Sequence, residues 1–290
     1  MNIIKIFKRV LIVIAVFLSV AATIILATRA DARFIAQSYI SSFGKSINLS
    51  EISKNEFNLI EASYDELKTD SRCKFNQSLL LINKDHPLES DFKPELERFE
   101  DTEAFFNSCA LGSFIELRKH IADEFDRTLF IMSAYRNKAD QSEVLTENEE
   151  DFAADPGESE HQAGLGVDVF AKYYAGYGFL KSPVGRYVNK NCNNYGFIIR
   201  YPFGKFFETG FSYEPWHLRY VGLPHSEIIG NSAATLEEYI EYFEHGNFYT
   251  YKDYIISKQN GDNFILPAEF ESAVISPDNT GNYIVTVKIK

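Results

Sequence analysis

The sequence predicts an α+β fold, and three observations carry that prediction. Short apolar runs of strand character alternate irregularly with helix-period stretches, without the regular strand–helix–strand spacing of a parallel sheet. Phe (25) and Tyr (17) offer a large aromatic core within 290 residues that are 45% hydrophobic, which excludes a disordered chain. No repeat or low-complexity tract interrupts the pattern, and one uncharged run, Val10 to Ala27, stands apart at the amino terminus.

That run follows Lys5, Lys8 and Arg9 and, at 1.5 Å per residue, spans roughly 27 Å. It is longer than the apolar stretch of a secretory signal, about 7–15 residues. Residues 1–30 therefore read as a cytoplasmic tip and membrane anchor, with 10–27 in the bilayer and the remainder outside. Ala30-Asp31-Ala32 has the small-x-small form of a cleavage site, so a cleaved signal stays open, and the working part is exported either way.

Residues 31–78 read as a stalk or lead-in, because Ile52, Phe57, Ile60, Tyr64 and Leu67 recur at helical steps. The main domain is expected over 79–245. Leu79 to Ile82 is a strand ended by the turn residues Asn83 to Pro87. A helix is expected from Asp101 to Asp126, with acids in its first turn and Phe105, Cys109, Gly112, Ile115 and Phe125 facing inward. Leu129 to Met132 reads as a buried strand that delivers Ser133 and Arg136 at its end, and the acidic stretch 143–160 reads as a loop. Leu165, Val167 and Val169 alternate with Gly166, Asp168 and Phe170, which places Asp168 on the face opposite the valines. Ser182-Pro183 caps a helix that runs to about Asn191. Phe197 to Ile199 and Leu218 to Val221 are further strands, and Thr235 to His245 is an amphipathic helix with Leu236, Tyr239, Ile240 and Phe243 inward. Residues 246–290 form a small β-rich extension ending in a turn at 278–282 and a strand at 283–287.

The net charge is −12, and the first 30 residues hold four cations and no acid, so residues 31–290 carry −16. Such a body has no phosphate-binding field, which excludes nucleic acid as a partner and leaves an anionic substrate to a few local cations. Cys73, Cys109 and Cys192 show no C-x-x-C pairing, so a cysteine zinc site is excluded. In an exported chain Cys73 with Cys109 is the first disulfide to test, though spacing alone does not establish it.

Two short segments concentrate the chemistry: Ser159 to Asp168 (SEHQAGLGVD) and Glu214 to His217 (EPWH). His161 and His217 offer imidazole nitrogens and Asp168 a carboxylate, a donor set that suits catalytic zinc with an open fourth position. Glu214, three residues before His217, is placed to act as a base beside such an ion. Gly164 and Gly166 give the backbone room to pass close by. Each spacing alone is weak, since isolated histidines are more often surface or core residues, as expected of His86, His120, His225 and His245.

Taken together, the two segments resemble the VanY-type zinc D-alanyl-D-alanine carboxypeptidases, with their pattern Ser-x-His-x-x-Gly-x-Ala-x-Asp followed by Glu-x-x-His. Residues 159–168 match with one departure, Gly166 in place of alanine, and EPWHLRYVG (214–222) matches the second half. The likeness extends through LLLINKDHPL (79–88), SAYR with Gln141, YGFIIRYP (195–202), and LPHSEII to LEEYI (223–240), with Ala134 and Asn137 as departures. The resemblance implies a single zinc-peptidase domain of the hedgehog/DD-peptidase type behind the anchor, and a metallopeptidase rather than a serine enzyme. It implies one Zn2+ held by His161, Asp168 and His217, with Glu214 as general base and Arg136 polarising the scissile carbonyl. Ser133, Gln141 and Ser159 become candidate hydrogen-bonding groups for the terminal dipeptide, and Trp216 reads as core. The implied substrate is a peptidoglycan stem or its lipid-linked precursor ending in D-Ala-D-Ala. An L,D-carboxypeptidase, an endopeptidase on the same peptides, or a non-catalytic wall-binding module are the alternatives.

Overall fold

A computed structural model describes residues 2–147 and 154–289. The apolar run lies in helix α1 (Asn2–Thr28). Residues Lys5–Thr28 are long and apolar enough to cross a membrane, with mean hydropathy 3.0 and no burial against the rest of the chain. Arg29 takes an extended conformation that breaks the helix, and α2 (Ala30–Ser42) follows.

The helix expected over 52–67 is not formed. Beyond α2 the chain runs through β1 (Ser50–Ile52), β2 (Leu59–Ser63), the short helix α3 (Tyr64–Thr69) and β3 (Cys73–Phe75). Partners for these strands come from the far end of the chain: β10 (Phe248–Tyr251), β11 (Tyr254–Gln259), β12 (Asn263–Pro267), β13 (Ser272–Pro277) and β14 (Tyr283–Lys288). They form a six-stranded sheet ordered β1-β10-β11-β14-β13-β3 and a two-stranded ribbon β12-β2. The helical spacing of Ile60, Tyr64 and Leu67 is shared between a strand and a one-turn helix, and strand pairing overrides it. Leu79 to Ile82 forms no strand; all four are buried, and the turn at Asn83–His86 is present.

Two small strands, β4 (Leu96–Arg98) and β5 (Phe105–Asn107), precede helix α4 (Ser108–Phe125). The helix starts seven residues later than expected, because Phe105 to Asn107 pair with Leu96 to Arg98. The Asn107 side chain then accepts from the Cys109 N–H at the amino end. Its buried face is Ala110, Leu111, Phe114, Leu117 and Ile121, while Ile115 is 43% exposed, so the true stripe is rotated from the expected one. Strand β6 (Leu129–Ser133) is half-buried rather than buried, since Phe130 and Met132 point outward. The expected loop at 143–160 begins inside helix α5 (Lys138–Glu147), and 148–153 lie outside the described residues.

From here the chain follows expectation closely, through β7 (Gly166–Ala171), α6 (Pro183–Asn191), β8 (Phe197–Ile199), the turn-length helix α7 (Phe206–Thr209) and β9 (His217–Tyr220). Ser182 Oγ accepts from Gly185 N at 2.8 Å, which caps α6. Helices α8 (His225–Ser232) and α9 (Leu236–Tyr242) complete the body, and all four residues expected to face inward from the last helix are buried. The site-bearing sheet is β6-β7-β9-β8. Val167, Val169 and Leu218 pack beneath it with Phe114, Leu117, Phe179 and Val188, and this core leaves the opposite face for polar side chains. Cys73, Cys109 and Cys192 are all free thiols, so the Cys73 to Cys109 pairing is not formed.

Candidate active site

Strand register assembles the site. Ser133 pairs with Asp168, and Asp168 pairs with His217, so three consecutive strands place these residues in one row. Because side chains alternate along a strand, Asp168 leaves the valine face and points to the polar one, as its spacing predicts.

His161 arrives from a short 3-10 turn, Glu160–Ala163, closed by Gly164 at φ +66. A Cβ at Gly164 would stand 2.6 Å from Asn107 N, so the turn lies against β5 and only glycine fits both the angle and the approach. The His161 ring is fixed by Nδ1, 2.6 Å from the Ala134 carbonyl oxygen. Its Nε2 is buried without a hydrogen-bond partner among the described residues and lies 3.2 Å from Asp168 Oδ2. His217 Nδ1 lies 3.0 Å from Asp168 Oδ1, and the two imidazole rings stand 5.0 Å apart at 85°. One donor atom from each of His161, Asp168 and His217 falls within 4.8 Å of the other two. A carboxylate between two imidazole nitrogens, one of them orphaned, is the donor set a zinc ion requires, so the residues fit the metal.

Electrostatics bind these groups together. Burial opposes the charge on Asp168, but His161 and His217 outweigh it and hold the carboxyl well below its ordinary range. Burial pushes the His161 imidazole below its ordinary value. For His217 burial is overcome by Asp168 and Glu160, which raise it to about 10. Glu214 approaches His217 Nδ1 to 3.8 Å, and burial pushes its carboxyl up to about 7. The Arg136 guanidinium is lowered by burial and countered by Asp168 and Glu214, and its Nε is buried without a partner among the described residues.

The weaker candidates are distributed around this centre. Ser133 sits half-buried at the end of β6 beside Asp168. Gln141 Nε2 donates to Ala154 O at 2.8 Å, whereas its Oε1 is buried and has no hydrogen-bond partner among the described residues. Ser159 is 4% exposed and makes no capping bond to the turn that follows it. Trp216 packs against the main core, edge-on to Tyr177, in keeping with its reading as core.

Sequence reasoning missed the charged groups behind the histidines. Glu160, Arg200 and Arg219 are 1%, 0% and 0% exposed. Glu160 Oε1 accepts from Arg200 Nε at 2.6 Å and Arg219 Nη1 at 2.7 Å, and Arg200 also meets Glu237. All four lie inside the motif blocks at 159–168, 195–202, 214–222 and 223–240, which was the available signal. Charged residues are seldom buried, so nothing local marked them as interior.

The VanY family, described as D-alanyl-D-alanine carboxypeptidase, matches residues 106–223. A D-alanyl-D-alanine carboxypeptidase of Enterococcus faecium is 32% identical over 73% of this chain and 76% of its own length. A bifunctional D-Ala-D-Ala dipeptidase and carboxypeptidase, VanXYC of Enterococcus gallinarum, is 37% identical over 57% of this chain and 94% of its own. Among solved structures, a D,D-dipeptidase VanXYg bound to a D-Ala-D-Ala phosphinate analogue covers 80% of this chain and 99% of its own, at 26% identity and TM-score 0.64. A VanY D,D-pentapeptidase in complex with Zn(II) covers 56% of this chain and 98% of its own, at 31% identity and TM-score 0.51. With the fold, the ordered motifs and the convergent donors in agreement, the chain belongs to the VanY D-alanyl-D-alanine carboxypeptidase family.

Proposed function

We propose that this protein is a zinc-dependent D-alanyl-D-alanine carboxypeptidase that removes the terminal D-Ala from peptidoglycan stem peptides. The observation that carries the reading is the meeting of His161 Nε2, Asp168 and His217 Nδ1 around one point, with Glu214 3.8 Å from His217. His161, Asp168 and His217 would hold the ion. When bound, zinc lowers the pKa of water and polarises a carbonyl oxygen.

The protein's own groups do the rest. Glu214 accepts the proton of the attacking water and returns it to the departing D-Ala amine. Its buried carboxyl is suited to exchange protons near neutrality. Arg136, desolvated and carrying a free Nε, offsets the charge that develops on the scissile oxygen. Ser133, Gln141 and Ser159 hydrogen-bond the terminal dipeptide, and Gln141 Oε1, without a partner among the described residues, offers an acceptor to a peptide N–H. The apolar helix anchors the protein in the cell membrane with the domain outside, beside the wall and its lipid-linked precursor.

The test is Glu214→Gln, which keeps shape and removes the base. Zinc content stays at the wild-type level, while hydrolysis of a pentapeptide stem falls by about 10²–10⁴-fold. Mass spectrometry of the wild-type products is expected to show loss of a single D-Ala from the pentapeptide. Cleavage only of tetrapeptide stems, or of cross-links, would replace this reading with one of its alternatives.

A further inference from the structure

We infer that Glu160 is a positioning residue of the metal centre: it holds the His217 ring from behind, through Nε2, and turns Nδ1 toward the ion. This rests on the peptidase reading and deepens it.

Glu160 Oε1 is taken up by Arg200 and Arg219, but Oε2 has no hydrogen-bond partner of ordinary geometry among the described residues. The same is true of His217 Nε2, and the two atoms lie 3.5 Å apart. Leaving a buried polar atom bare is costly, so a ring N–H and a carboxylate oxygen facing each other at this range satisfy one another. The other ring nitrogen lies on the opposite side, 3.0 Å from Asp168 Oδ1. Glu160 and Asp168 thus grip the imidazole at its two nitrogens.

The surroundings serve this contact. Arg219 Nη2 donates to the carbonyls of Ser78 and Leu80, at 3.0 and 2.7 Å, and Arg200 Nη1 donates to Glu237 Oε2 at 2.9 Å. Glu160 is therefore held in place by guanidinium groups that are themselves tied to the protein frame. Two arginines against Glu160 and Glu237 leave the cluster neutral, which makes its burial tolerable. A Cβ at position 166 would stand 3.3 Å from His217 Nε2 and 3.4 Å from Glu160 Cβ, so Gly166 keeps that side of the contact clear. A carboxylate behind a ligating imidazole fixes the ring and makes it a stronger donor. A purely structural Glu160, neutralising two arginines, would have no effect on the His217 ring.

The experiment is nitrogen NMR of the histidine rings in the zinc-loaded, detergent-solubilised full chain, paired with Glu160→Gln. In the wild type the His217 Nε2–H proton is expected downfield and protected from solvent. In Glu160→Gln it moves upfield, and zinc affinity measured against a competing chelator falls about 10–100-fold. A folded variant with unchanged ring proton and unchanged zinc affinity overturns the inference. If the variant does not fold, the wild-type spectrum decides, and a proton on Nδ1 or an Nε2–H shift like that of free imidazole overturns it. A wild type that takes up no zinc overturns the peptidase reading and this one together, which separates the two failures.

Discussion

Glu214 is a carboxyl almost closed off from water, and that one circumstance shapes the pH behaviour expected of the enzyme. Burial pushes it up to about 7, opposed by His217 and Arg136. In its proposed role as general base it works only when ionised, so kcat/KM should fall as the pH is lowered through its titration. Zinc is a further positive charge beside it, so the acid limb of the wild-type profile is expected at or below pH 7 and should vanish from the residual rate of Glu214→Gln. His217, held up to about 10 by its carboxylate neighbours, would have to release a proton to serve as the proposed zinc ligand. Zinc affinity should therefore rise with pH, with proton release on binding measurable by calorimetry in buffers of different ionisation heat. Arg136→Ala should cut kcat by about 10²–10³-fold while zinc content is unchanged, the loss expected from deleting one donor to a developing oxyanion.

At the scale of the element, helix α4 shows how a local signal misleads and what corrects it. Asp101 and Glu103 resemble first-turn acids, yet the chain around Phe105 is worth more as a strand paired with β4. The helix waits for Asn107, which does more than cap. Its Nδ2 also donates to Gln77 Oε1 at 2.8 Å and to the Ala163 carbonyl at 3.1 Å, tying the helix to the turn that carries His161. Asn107→Ala should cost about 1–2 kcal/mol for the cap alone, more with two acceptors left bare, read from the urea midpoint. Elements whose punctuation is local were legible from the residues. The Ser182-Pro183 cap, the period-2 run around Asp168 and the amphipathic helix after Thr235 fall where expected, because their signals need no distant partner.

Across the whole molecule, the segment expected to be a stalk is bound into the sheet made by the other end of the chain. β1 pairs with β10, β2 with β12 and β3 with β13, so residues 50–75 supply both outer strands of the six-stranded sheet. A chain beginning at residue 79 should lose soluble folded protein, because it exposes two unpaired edges; one beginning at Ala30 should keep its melting curve and its zinc. His225 joins the layers, with Nδ1 2.7 Å from Tyr239 Oη and Nε2 2.9 Å from Thr286 Oγ1. Burial lowers its pKa from 6.5 to about 3. Between those values the unfolded chain binds a proton that the folded one refuses, so stability is present above pH 6.5 and is lost progressively as pH falls toward 3. That loss, on the order of a few kcal/mol, should be absent from the pH dependence of a folded His225→Gln variant.

The amino-acid sequence by itself determined the family and the candidate set: the histidines, aspartate and glutamate proposed as donors and base, and a long apolar helix ahead of the body. Those follow from residue type and short spacing, which are properties of the chain before it folds. Only the tertiary structure decided which charged residues stand behind the histidines, where α4 begins, and that the lead-in is part of a sheet. Each of those depends on a partner distant in the chain, such as the roughly 200 residues between Ser50 and Thr250, and no local pattern specifies a contact of that kind.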